Sequence, residues 1–149
     1  MHTPGFLCLS SEKLCRCLTK LNLRCCDSLE VVPSEIFEFS NLTFLSLAGC
    51  KAMREVPPYK IRNLKSLTVL AIDTCEKIPY LPSEIGELEK LEVLQIHTNK
   101  QLKSLPSYIF NRHHLKSLDL QMCGNWKSCR QTSNNFKPLP ILTSMHVLS

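Results

Sequence analysis

The sequence lacks the long apolar runs that mark membrane proteins and secreted precursors. No run approaches the roughly 18 residues that a membrane-spanning helix needs. The first residues have neither the basic start nor the apolar length of a secretory signal. If the chain begins at its native start, these absences predict a cytoplasmic protein with no membrane partner.

Motifs of catalytic, cofactor and metal sites are also missing. The chain contains no G-x-x-x-x-G-K, no H-E-x-x-H and no G-x-S-x-G sequence. Its nine cysteines form no C-x-x-C pair, and an odd number without a signal peptide suits reduced thiols. We therefore expect no enzyme activity, no cofactor, no metal ion and no small-molecule substrate.

What the chain does contain is a repeat of 24 or 25 residues. Counting the first leucine of each copy as offset 0, leucine or isoleucine stands at offsets 0, 3 and 5, and cysteine or asparagine at offset 8. The copies start at Leu18, Leu42, Leu67, Leu91 and Leu115, and the first four carry proline at offset 15. This is the leucine-rich repeat pattern.

The repeat predicts a curved α/β solenoid, a horseshoe with a parallel β-sheet on its concave face. Offsets 3 to 5 alternate like a short strand, and the long return passage forces successive strands to pair in parallel. No repeat can bury its apolar side alone, so we expect a single domain over 1–149. Residues 1–17 would form an N-terminal cap or degenerate repeat, 18–123 the regular repeats, and 124–149 a degenerate repeat or C-terminal cap.

The return passages predict short helical or irregular segments on the convex side. Pro33-Ser34 and Pro82-Ser83 combine the fixed φ of proline with a serine that can cap the next turn. The second repeat has one extra residue near Pro57, which should bulge outward and leave the strand register unchanged. The offset 8 residue, here called the ladder position, should hydrogen-bond the backbone of the turn, strongly as asparagine and weakly as cysteine.

The concave face is the predicted partner-binding surface. It should carry the side chains at offsets 2, 4 and 6. Phe44, Val69 and Val93 share offset 2 on three neighbouring strands, and adjoining exposed apolar side chains more often mark a contact site than scattered ones do. The site residues are Lys20, Asn22, Arg24, Phe44, Ser46, Val69, Ala71, Asp73, Val93, Gln95, His97, Ser117, Asp119 and Gln121, with the small Ala48 beside them.

Charged residues suggest two further features. Asp73 and His97 share offset 6 and could touch across neighbouring strands, but no nucleophile stands beside them. A basic flank follows the ladder position: Lys51, Arg54, Lys77, Lys100, Lys103 and Lys127. Such a flank can steer an acidic partner, although it lacks the interleaved aromatic residues that stack on bases, so nucleic acid is an unlikely partner.

The form L-x-x-L-x-L-x-x-C-x-x-L-x-x-L-P-x-x-I resembles the repeats of plant-type intracellular immune receptors. The phrase from Leu81 to Leu88 is also similar to leucine-rich proteins that scaffold small-GTPase signalling. The resemblance implies a horseshoe whose concave face binds another protein, in intracellular signalling or immunity. The alternative is a regulatory or targeting subunit, or a recognition fragment of a larger receptor or effector enzyme, that uses the basic flank for an acidic ligand. The sequence does not specify an oligomeric state.

Overall fold

A computed structural model describes residues 17–106, 109, 114–120 and 122–123. Five three-residue strands form one parallel sheet in the order β1-β2-β3-β4-β5. Their bounds are β1 Lys20–Asn22, β2 Phe44–Ser46, β3 Val69–Ala71, β4 Val93–Gln95 and β5 Ser117–Asp119. The predicted parallel solenoid is therefore confirmed.

The strands pair at equal offsets along the whole sheet. Leu21 pairs with Leu45, Leu45 with Leu70, Leu70 with Leu94, and Leu94 with Leu118. This register follows from the period, because side chains alternate between the two faces of a strand and a slip of one residue would expose the leucines.

Apolar side chains at offsets 0, 3 and 5 form the core behind the sheet. Leu67, Leu70 and Ile72 of the third repeat are completely buried, as are Leu42, Leu45 and Leu47 of the second. Burying such a side chain contributes about 1.5–3 kcal/mol. Isoleucines of the return passages close the core from the other side: Ile36, Ile61, Ile85 and Ile109.

The return passages contain single helical turns. Residues Ser34–Glu38 and Ser83–Glu87 form 3₁₀ helices, whereas Pro58–Ile61 of the second repeat forms a short α-helix. As predicted, the extra residue of the second repeat is absorbed on the convex side, since Phe44 still pairs with Val69.

The expectation that serine caps these turns is wrong. Pro33 and Pro82 occupy the N-cap positions, and neither makes a side-chain cap bond. The hydroxyl of Ser34 lies 3.3 Å from Glu35 Oε2, and that of Ser83 lies 2.8 Å from Glu84 Oε2. Each serine hydroxyl donates a hydrogen bond to the adjacent carboxylate. The serine is the first residue of the 3₁₀ helix and not its N-cap, so the fixed φ of proline starts the turn without a side-chain cap.

The ladder position links each repeat to the one before it. Cys50 Sγ donates to Leu23 O at 3.2 Å, Cys75 Sγ to Leu47 O at 3.1 Å, and Cys123 Sγ to Ile96 O at 2.7 Å. Asn99 Nδ2 reaches Ile72 O at 2.7 Å in the same way. The acceptor is always the offset 5 carbonyl of the preceding repeat, so the predicted hydrogen bonding extends between turns.

Every described turn contains a left-handed residue one position before the ladder residue. Gly49 has φ of +77°, while Cys25, Thr74, Thr98 and Met122 have φ between 55° and 60°. A non-glycine residue in this region costs about 1–2 kcal/mol. Four of the five described turns therefore carry this cost, and the turn of the second repeat avoids it with glycine.

Parts of the predicted architecture lie outside the described residues. These are residues 1–16 of the predicted N-terminal cap and residues 124–149, the predicted C-terminal cap or degenerate repeat. Ser107 and Tyr108 of the fourth return passage also lie outside them.

Candidate partner-binding face

The strand alternation places offsets 2, 4 and 6 on the concave face and offsets 3 and 5 in the core. Phe44, Val69 and Val93 are Cα partners on β2, β3 and β4, and each side chain is half-buried. We call these three residues the apolar strip. Neighbouring strands lie about 4.8 Å apart, so the apolar strip crosses roughly 10 Å of sheet.

Several predicted site residues are buried although they lie on this face. Ser46 is 2% exposed, Ala71 4% and Asp73 8%. Their side chains are short, and at the spacing of a parallel sheet the larger neighbours cover them. They form the floor of the face, and a partner would meet the taller side chains around them.

The remaining predicted residues frame this floor. Lys20, Asn22 and Arg24 are exposed at the β1 edge, and Asn22 Oδ1 accepts the backbone N–H of Arg24 at 3.1 Å. Gln95 and His97 are half-buried, as are Ser117 and Asp119 on β5. Gln121 lies outside the described residues.

The predicted contact between Asp73 and His97 is present. His97 Nδ1 lies 3.0 Å from Asp73 Oδ1 and 3.6 Å from Asp119 Oδ2, and the backbone N–H of His97 donates to Asp73 Oδ1 at 3.2 Å. The ring nitrogen is buried, and its approach to Asp73 is close without being a well-aligned hydrogen bond. The ring nitrogen therefore lies between the carboxylates of Asp73 and Asp119.

The Asp73 carboxyl has a raised pKa because of its burial. The His97 ring and N–H act in the opposite direction, Asp119 raises the pKa further, and Arg24 lowers it. Folding therefore favours protonated Asp73. Its contribution to stability is present below the ordinary carboxyl pKa and is lost as the pH rises through the raised value.

A pocket of about 280 Å³ opens beside this pair, at the C-terminal ends of the strands. We call it the second-repeat pocket, because Ala48 and Gly49 stand where neighbouring repeats carry larger side chains. It is lined by Arg24, Cys25, Asp27, Ala48, Gly49, Lys51, Asp73, Thr74 and His97. Sequence reasoning missed this pocket. Its only signal was the pair of small residues at offsets 6 and 7 of one repeat.

Acidic neighbours partly neutralise the basic flank, and one of its lysines lies over an aromatic ring. Arg54 Nε lies 3.9 Å from Glu30, and Lys100 Nζ lies 3.6 Å from Glu76. Lys103 Nζ lies 5.4 Å from the centre of the Tyr80 ring. Lys127 is outside the described residues. Exposed pairs of this kind contribute little to stability but reduce the free charge of the flank.

Within the described ranges, no three His, Cys, Asp or Glu side chains are grouped so that they could hold a metal ion. The described cysteines, Cys17, Cys25, Cys26, Cys50, Cys75 and Cys123, are free thiols. The part of the chain that the structure describes also contains no helix of the length and apolarity needed to cross a membrane.

No family model matches the chain, and no curated protein matches it. Among solved structures, a leucine-rich-repeat protein of Leptospira interrogans is similar with a TM-score of 0.52 and 24% identity, over 83% of this chain and 36% of that one. The plant peptide hormone receptor RGFR1 in complex with RGF2 is 28% identical over 71% of this chain and 21% of that one, with a TM-score of 0.42.

The likeness to the Leptospira protein shows the leucine-rich-repeat solenoid fold. The chain spans only about a third of that protein and a fifth of the receptor, by the coverages of 36% and 21%.

Proposed function

We propose that this chain is a cytoplasmic recognition module in signalling or immunity, which binds an extended segment of another protein on its concave face. The observation that supports this most is the apolar strip. Phe44, Val69 and Val93 stand in register on three adjacent strands and keep part of their apolar surface in solvent. Adjoining apolar side chains with a polar rim are the usual anatomy of a contact surface.

The neighbouring groups fit such a role. The buried floor of Ser46 and Ala71 leaves room for a partner's side chains between the apolar strip and the charged groups near His97. Exposed apolar residues off the concave face are more scattered. Tyr59 is 73% exposed on the short α-helix, and Tyr80 is 54% exposed beside Lys103.

The second candidate is a regulatory or targeting subunit, or a recognition fragment of a larger receptor or effector enzyme, that uses the basic flank. Raising salt from low to physiological concentration should then weaken binding steeply, since exposed charges are screened beyond about 8 Å. The ion pairs of Arg54 and Lys100 make this candidate weaker than the concave face.

The test begins with affinity capture on the immobilised chain and purification of the captured protein. Phe44→Asp combined with Val69→Asp should weaken its binding at least about thirtyfold, because contacts at the centre of an interface carry most of the binding energy. Binding is measured by calorimetry, and folding by circular dichroism.

The matched control combines Tyr59→Asp with Tyr80→Asp, which adds the same charge away from the concave face. It should leave the affinity unchanged. If the concave double variant folds and binds with wild-type affinity, the concave face is not the binding surface. A loss of binding in the control instead would move the site to the return passages.

A further inference from the structure

The second-repeat pocket exists because one repeat omits two side chains. At offset 6 the first, third and fourth repeats carry Arg24, Asp73 and His97, whereas the second carries Ala48. Gly49 follows, and a Cβ built there would lie 3.2 Å from Cys25 Sγ. The strands on either side of β2 are roughly 10 Å apart, so the gap is about one side chain wide.

Two cations line this gap, and one of them, Arg24, lies close enough to Asp73 to lower the pKa of that carboxyl. Neither Arg24 nor Lys51 forms a salt bridge with any residue in the described ranges, although both are exposed and line the pocket. Asp73 is already engaged by His97, at 3.0 Å. Asp73 is also only 8% exposed, so the exposed charged residues of the lining are Arg24, Lys51 and Asp27, which together carry one net positive charge.

This balance favours a singly charged anion. A carboxylate matches this excess of one positive charge at the exposed residues, whereas a phosphate dianion would exceed it and would be repelled more strongly by Asp27. A planar guanidinium such as that of Arg24 holds a carboxylate through two parallel hydrogen bonds, and Lys51 can add a third donor.

We propose that the second-repeat pocket takes the carboxylate side chain of an Asp or Glu in the partner's extended segment. This inference rests on the proposed concave-face function and adds the chemistry that the segment must carry. Because the pocket opens at the C-terminal end of β2, a segment that lies along this strand can insert one side chain into it.

The position of the pocket also determines the spacing between an apolar and an acidic residue in the partner's segment. Ala48 follows Phe44 by four residues and lies just past the end of β2, and four residues of extended chain span about 13 Å. In an extended segment lying along β2, residues four apart point the same way. The segment should therefore carry an apolar residue for the apolar strip and an acidic residue four positions away.

The probes are acetylated and amidated heptapeptides in which leucine is followed four positions later by glutamate, with serine and glycine elsewhere. Matched peptides carry glutamine, lysine or phosphoserine in place of glutamate, and one carries glutamine with a free C-terminal carboxylate. Binding to the full chain is followed by calorimetry, and by NMR at the amide signals of Arg24, Gly49 and Thr74.

The glutamate peptide should bind at least about tenfold more tightly than the glutamine peptide, the usual scale for a charge-assisted pair. Arg24→Gln should remove that preference, and Ala48→Met should block the pocket from the solvent side. Arg62→Gln and Lys65→Ala, exposed on the return passage, should leave it unchanged.

Several results would overturn the assignment: equal binding of the glutamate and glutamine peptides, no binding of either, or preference for lysine, phosphoserine or the free C-terminal carboxylate. Retained preference in both Arg24→Gln and Ala48→Met would do the same. These results would not overturn the concave-face proposal. That proposal is tested separately, by binding of the Phe44 and Val69 double variant to the captured protein.

Discussion

The residues at the ladder position, here called rungs, are not equivalent from one repeat to the next. Cys75 and Asn99 occupy this position in neighbouring repeats but contribute differently to the fold. Cys75 is completely buried and Asn99 is 1% exposed, so depth does not distinguish them. The Cys75 thiol lies 3.1 Å from Leu47 O of the preceding repeat and 3.6 Å from Asp73 O of its own, and it has one hydrogen to donate between them. Asn99 makes three, each 2.7 Å long: its amide donates to Ile72 O and Ile96 O, and its Oδ1 accepts the backbone N–H of Cys75.

The third of these bonds explains why the rungs are not equivalent. The backbone N–H of Cys50 and that of Cys123 are satisfied within their own turns, by Leu47 O at 3.3 Å and Leu120 O at 3.4 Å. The buried N–H of Cys75 instead depends on the side chain of the next repeat. A residue at one rung can therefore satisfy a backbone group at another. The residue type in one repeat thus affects the hydrogen bonding of the preceding repeat.

Removing the amide altogether should have the largest effect. Asn99→Leu leaves the Cys75 N–H and the Ile72 carbonyl without partners inside the protein, and each such group costs about 1–3 kcal/mol. We expect the free energy of unfolding to fall by about 2–5 kcal/mol, measured by urea denaturation. Cys75→Ala, which removes one weak donor, is the control and should cost less. Equal losses in the two variants would mean that the rungs are equivalent after all.

An exchange of the two residue types should be asymmetric. Asn99→Cys keeps a donor toward Ile72 but removes the acceptor of the Cys75 N–H, so we expect a loss of about 1–3 kcal/mol. The reverse change, Cys75→Asn, supplies extra donors at an equally buried rung and should change stability by less than about 0.5 kcal/mol, because no buried backbone group loses its partner. Both are measured by the same denaturation, and similar losses in the two directions would remove the asymmetry.

Of these two rungs, only Cys75 should make the free energy of unfolding depend on pH in the alkaline range. Burial raises the pKa of the Cys75 thiol to about 12, partly offset by its backbone hydrogen bonds. Its contribution is present below the unfolded thiol pKa, near 9, and is lost as the pH rises toward 12. Between pH 8 and 10 the wild type should lose about 1 kcal/mol more than Cys75→Asn, in urea titrations at each pH. Parallel curves for the two proteins would show that Cys75 is not shielded.

Periodicity predicted the strands, their register and the alignment of Asp73 with His97, because all three depend only on which residues share an offset. It did not predict the failure of Ser34 to cap its turn, since Pro33 occupies the N-cap position and Ser34 is the first residue of the 3₁₀ helix. The burial of Ser46 and the second-repeat pocket beside Ala48 were also missed. Both depend on the sizes of neighbouring side chains across the sheet, which a single repeat does not contain.

The equal-offset register has an evolutionary consequence. Each residue has its neighbour 24 or 25 positions away, as in the pairs Phe44 with Val69 and Val69 with Val93. Duplication or loss of one whole unit would therefore preserve every core contact type and every rung, while it changes the pattern of side chains on the concave face. One duplication or loss would thus produce a new recognition surface on a protein that still folds.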